Sequence, residues 1–161
     1  MKSAIESFVE FFNKQGWSYN QASDKPVIHT GFTGDNGRWN CVAVAGPQDE
    51  HLFFLSLLPC KAVPARRTAC AELLTRINFG LTHGCFEMDF EDGEIRFRTS
   101  IPLASAEVSP ELVEHVVFSN LCTVDRLFGA IMKVLYAEVS PKSAMTLAAT
   151  KKHSTSRFEL N

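Results

Sequence analysis

The chain has 161 residues, of which 45% are hydrophobic and 11% aromatic, and its formal net charge is −2. Such a composition is too apolar for a disordered polypeptide and long enough to bury one real core. Lys and Arg are scattered, with only Arg66-Arg67 and Lys151-Lys152 adjacent, so the basic face of a nucleic-acid binder is missing.

Ser3 with Glu6 three positions on forms a capping box, and Ile5, Phe8, Val9 and Phe12 repeat at helical spacing, which predicts a short amphipathic helix closed near Gly16. Two strands are expected at residues 27–33 and 38–45, joined by the turn-forming run Gly34-Asp35-Asn36-Gly37. A third, at 51–58, follows the turn 46–50. Pro64 suits the first turn of a second helix, whose apolar positions are Cys70, Leu73, Leu74, Ile77 and Leu81.

Residues 84–103 read as a hairpin closed at Asp92-Gly93. A two-residue turn there pairs Phe90 with Ile95, Asp89 with Arg96, Met88 with Phe97 and Glu87 with Arg98. One face is then apolar (Phe86, Met88, Phe90, Ile95, Phe97, Ile101), and the other sets acids across from arginines.

Ser109-Pro110-Glu111 marks the start of a third helix. Its apolar stripe is Val113, Val116, Val117, Leu121, Val124, Phe128, Ile131, Val134 and Leu135, with a break expected near Thr123, where β-branched residues cluster. After Ser140 the pattern decays. Residues 140–161 are expected to be an extension carrying a short helix around 143–148 and then a mobile tail, leaving 1–139 as one domain.

The order helix, three strands, helix, two strands, helix resembles the type III secretion-chaperone-like fold. Residues 73–145 resemble the YbjN family of sensory transduction regulators. The resemblance is carried by LTRINFGLTHGCF at 74–86, where a helix end with Leu and Asn leads through Gly to an aromatic, and by the Asp92-Gly93 turn. The strand GEIRFRTSIPL, the helix from Ser109 and the closing YAEVSPKSA follow in the family's order. The resemblance implies a non-catalytic, chaperone-like or regulatory module; the related secretion chaperones are dimers that bind an extended client segment. The expected architecture is therefore α+β, with an antiparallel five-stranded sheet and the helices mainly on one face.

Chemistry-bearing motifs are sparse. Five cysteines, at 41, 60, 70, 85 and 122, are odd in number and lack C-x-x-C spacing, which argues against a disulfide framework or a zinc site and suits the reducing cytoplasm. Glu6 and Glu10 interrupt any signal-peptide core, and no run approaches the roughly 18 apolar residues of a membrane span. Cys85 beside His83 is better read as a structural thiol than as a nucleophile, and the five histidines show no ligand spacing. The acidic turn 91–94 lacks the pattern of a calcium loop. No catalytic, cofactor or metal residue is assigned.

The functional clue lies in the second and third strands. Pairing Ala45 with His51 puts Trp39, Cys41 and Ala43 on a core face with Phe53, Leu55 and Leu57. The opposite face, with Val42, Val44, Leu52 and Phe54, is apolar as well, where a solvated face would be polar. Those four residues are the candidate protein-binding or dimer surface, to be covered by a client segment, a second subunit or the chain's own elements. The expected function is a non-enzymatic protein-binding regulator, a homodimer, with no nucleic-acid or membrane partner. The alternative is a small-ligand sensor or enzyme with a helix–sheet pocket and Cys85 as its polar handle.

Overall fold

In a computed structural model of the chain, residues 3–21, 25–46, 50–103, 108–150 and 159–160 are described. The first helix, α1 (Ala4–Gln15), carries the reciprocal capping box of Ser3 and Glu6 and ends at Gly16 in the left-handed conformation. Two residues, Asn20–Gln21, form β1; the next strands are β2 (Val27–Thr33), β3 (Arg38–Ala45) and β4 (His51–Lys61). Then come α2 (Pro64–Phe79), β5 (Cys85–Met88), β6 (Glu94–Pro102), α3 (Pro110–Tyr136), α4 (Pro141–Thr150) and the two-residue β7 (Glu159–Leu160).

The strands form a single antiparallel sheet in the order β1-β2-β3-β4-β6-β5, with β7 also on β2. The expected α+β class is therefore observed, with two short strands added to the anticipated five. β1 pairs with one half of β2 and β7 with the other, so both line the same edge.

Inward side chains alternate along the strands. Ile28 and Phe32, Trp39, Cys41 and Ala43, Leu52, Phe54 and Ser56, and Ile95, Phe97 and Thr99 are all buried. They face a helical layer in which α1 contributes Phe8 and Phe12, α2 contributes Cys70, Leu73 and Ile77, and α3 contributes the whole expected stripe. The helix break expected near Thr123 does not occur. α3 is continuous over 27 residues, because its β-branched residues Val116, Val117 and Val124 pack on the sheet, and that packing outweighs their weak intrinsic preference. The short C-terminal helix begins earlier than expected, at Pro141, and buries Ala144 completely in the core formed with α2 and α3. The expected mobile tail falls largely on 151–158, outside the described residues.

Two polar residues of α3 tie the layers together. Asn120 is fully buried; its Oδ1 accepts from Ser56 Oγ at 2.5 Å, and its Nδ2 donates to Phe54 O at 2.9 Å, Phe97 O at 3.3 Å and Thr99 Oγ1 at 3.1 Å. Trp39 Nε1 completes the relay by donating to Ser56 Oγ at 2.9 Å. One turn further on, Asp125 accepts from Asn36 N at 2.8 Å and thereby holds the β2–β3 turn against the helix.

The β5–β6 hairpin is wider than expected. Met88 pairs with Ile95, Glu87 with Arg96, Phe86 with Phe97 and Cys85 with Arg98. The turn takes in Phe90, which is 55% exposed, because Asp89 N donates to Glu94 O and Gly93 N donates back to Asp89 O. Gly93 has φ +79°, and a Cβ there would lie 2.1 Å from Ala62 O, since the turn is pressed against the end of β4. A two-residue shift of register preserves the faces, so the division between apolar and charged sides survives.

Candidate functional site

The sheet face turned away from the helices is built from β3, β4, β6 and β5. Val42 pairs with Leu55 and Val44 with Phe53; Leu55 in turn pairs with Arg98 and Leu57 with Arg96. These side chains, with Cys85 and Glu87 from β5, are neither buried nor fully exposed. The middle of the face is an apolar strip of Val42, Val44, Phe53, Leu55 and Leu57, bordered on the β6–β5 side by charge.

The four residues expected to form one surface are divided between two faces. Val42 and Val44 lie together on the open side. Leu52 and Phe54 are fully buried on the other, where the Phe54 ring sits 6.0 Å from that of Phe8 and 6.5 Å from that of Phe32. The expected pairing of Ala45 with His51 is corrected to Ala45 with Leu52. That one-residue slip transposes the two faces of β4 and puts Phe53, Leu55 and Leu57 beside the valines. These three were assigned to the core; their apolar character on one parity of the strand was visible, but not the side it faces.

Glu87 organises the charged border. Its Oε2 accepts from Arg96 Nε at 2.7 Å, and its Oε1 accepts from Arg98 Nε at 2.7 Å. Partial burial pushes the Glu87 carboxyl up, but the hydrogen bonds from Arg98 and Arg96 outweigh it and hold the group below the ordinary carboxylate value. With Val44, Phe53 and Leu55 the three charged residues line a shallow hollow in the face. Its chemistry suits association: apolar area to bury, and guanidinium groups beside it that are only partly covered, with side-chain exposures of 43% for Arg96 and 35% for Arg98.

Cys85 belongs to this open face and not to a pocket between helices and sheet. Its Sγ lies 3.8 Å from Glu87 Oε1 and 3.8 Å from Arg98 Nη2. Burial raises its pKa, Arg98 opposes the shift and Glu87 adds to it, so the thiol is held in its neutral form. His83 turns instead toward His115 of α3. The thiols of Cys41 and Cys60 are pushed up to about 12, and that of Cys70 to about 11, in each case mainly by burial. A second hollow lies between α1 and the start of α3, lined by Ser7, Glu10, Phe11, Lys14 and Glu114 among others; its charges are mixed in sign. Among the described residues no group of three or more His, Cys, Asp or Glu could hold a metal ion, and no helix is long and apolar enough to cross a membrane.

The Asn of the resemblance motif has a clear structural role. Asn78, near the end of α2, accepts from Phe86 N at 2.8 Å through Oδ1 and donates to Phe86 O at 2.9 Å through Nδ2. Its side-chain amide thus stands where a further strand would pair with β5.

Comparison with known proteins agrees with this architecture. No curated protein matches the chain. Among solved structures, it is similar to the crystal structure of YbjN from E. coli, described as "a putative transcription regulator", with a TM-score of 0.56 and 12% sequence identity over 84% of this chain and 91% of that one. That likeness concerns the fold. The model of the YbjN family, described as "Putative bacterial sensory transduction regulator", matches residues 5–132. With most of its length inside that match, the chain belongs to the YbjN family.

Proposed function

We propose that this protein is a non-enzymatic regulatory module, chaperone-like in architecture, that works by binding protein, and that the open sheet face is the binding surface and pairs with a second copy of the chain. The observation that supports this reading is the strip Val42, Val44, Phe53, Leu55 and Leu57 on a face that the helices leave uncovered. An antiparallel sheet with one solvated face alternates apolar with polar residues, and these strands do not.

A second copy suits the strip because a two-fold contact brings the same patch against itself. An uncharged centre with its ionic groups on one border can meet a rotated copy of itself without opposing like charges in the middle. Two such sheets pack face to face at about 10 Å, a spacing filled by side chains of the size of Val, Leu and Phe. Five unpaired thiols are in keeping with the reducing environment of the cytoplasm.

Light scattering tests the assignment. The wild-type chain is expected to return about twice its 17.9 kDa, and Leu55→Asp to return the mass of a single chain with an unchanged far-ultraviolet circular dichroism spectrum. A wild-type protein that stays monomeric at the highest attainable concentration refutes pairing through this face. So does a Leu55→Asp protein that remains dimeric.

A further inference from the structure

His83 and His115 come from different elements and meet at the surface. His83 lies in the loop between α2 and β5, and His115 in the second turn of α3. Both are exposed, their ring centres are 5.5 Å apart, and the ring planes are inclined at 85°. We propose that this pair is a two-histidine site for a borderline divalent transition metal such as Ni2+, Zn2+ or Cu2+, which clips the loop ahead of β5 to the beginning of α3.

The separation fits a shared ion. A ring nitrogen lies about 2.0–2.1 Å from a bound zinc and about 1.1 Å from its own ring centre, so each centre is about 3.2 Å from the metal. Two such arms at a tetrahedral angle place the centres about 5.2 Å apart, close to the spacing seen here. Neutral imidazole suits Zn, Cu and Ni, whereas Mg and Ca favour oxygen ligands.

Both histidines are held on firm backbone. Gly84, the next residue after His83, has φ +74°, and a Cβ at this position would fall 2.7 Å from the Phe97 ring and 2.8 Å from Arg98 O. The loop is thus pressed onto β6. His115 lies between the buried residues Val113, Val116 and Val117, which fix that part of α3 against the sheet. With two protein ligands the remaining coordination positions go to water, so the ion exchanges freely with solvent and links two elements without being needed for folding.

The test is calorimetric titration of the untagged full chain with Ni2+ near neutral pH, alongside thermal unfolding with and without the metal. Cys122→Ser removes the exposed thiol as a competitor. One Ni2+ per chain is expected, with a higher unfolding midpoint in its presence. Loss of a direct ligand should cost at least the roughly tenfold in affinity that loss of an outer-shell partner costs. His83→Gln and His115→Gln should therefore each weaken binding by at least that much and reduce the midpoint shift at a fixed metal concentration, while His51→Gln should leave both unchanged. The proposal is overturned by binding of wild-type affinity after either substitution, or by the lack of a saturable phase below about 1 mM metal in the unsubstituted chain.

Discussion

Replacing Asn120 by Ala tests the idea that a single buried amide fastens the helical layer to the sheet. The side chain holds Ser56 through Oδ1 and reaches the carbonyls of Phe54 and Phe97 and the hydroxyl of Thr99 through Nδ2. Alanine leaves the Ser56 hydroxyl without its acceptor, at about 1–3 kcal/mol for a buried donor. It also removes the amide's own hydrogen bonds, at about 1 kcal/mol each, although Thr99 and the Phe54 carbonyl retain each other. A total near 3 kcal/mol is expected. With a urea slope of about 2 kcal/mol per M, the midpoint should fall by about 1.5 M. Tryptophan fluorescence is a suitable reporter, since Trp39 donates to the same Ser56. Ser119→Ala, one residue away and bonded only to its own helix at Val116 O, is the control and should stay within about 0.5 kcal/mol of wild type. Equal midpoint shifts for the two variants would refute the role of Asn120 as the fastening.

Two further expectations follow from the titratable groups. In folded protein, Ellman's reagent near pH 8 should label Cys122 first and Cys85 more slowly, leaving Cys41, Cys60 and Cys70 silent until denaturant is added; Cys41 reacting as fast as Cys122 would contradict its burial. Glu87 has a lower pKa in the folded chain than in the unfolded one, so its contribution to stability is present above the unfolded carboxylate value and is lost as pH falls through the folded one. Thermal unfolding of Glu87→Gln and wild type should therefore differ at pH 7 and draw together progressively as pH falls below the ordinary carboxylate value of about 4.3, and a difference independent of pH would show that the arginine pairs do not act through charge.

Helix positions, the hairpin faces and the capping box of α1 were legible because each rests on local chemistry: an N-cap, a proline at the first helical turn, or a run of clear periodicity. The register between β3 and β4 was not, for a physical reason. In HLFFLSLL both parities are apolar, so alternation alone could not decide which side faced the helices. Ser56 gives no help in choosing between them. A serine in a strand reads as solvent-facing, whereas here it is buried because Asn120 and Trp39 satisfy it. The long-range signal was a polar residue, Asn120, set into the apolar stripe of α3; it calls for a polar partner on the sheet, and Ser56 is the one it finds. Likewise the Asp92-Gly93 pair did mark a turn, but the contact of Gly93 with Ala62 widened the loop beyond the two residues that the sequence suggested.

The side-chain amide of Asn78 has a consequence for how copies of this protein can meet. By occupying both the N–H and the C=O of Phe86, it closes β5 to main-chain pairing at that residue, and at the far edge β1 and β7 cover Ile28, His29, Phe32 and Thr33 of β2. A newcomer therefore finds no backbone template at these positions. On the proposed reading, recognition is then made by side chains across the open face, where each residue can be exchanged one at a time. If the proposed surface is the one used, partner choice can change through single substitutions at Val44, Phe53 or Leu55, while the strands beneath stay paired as they are.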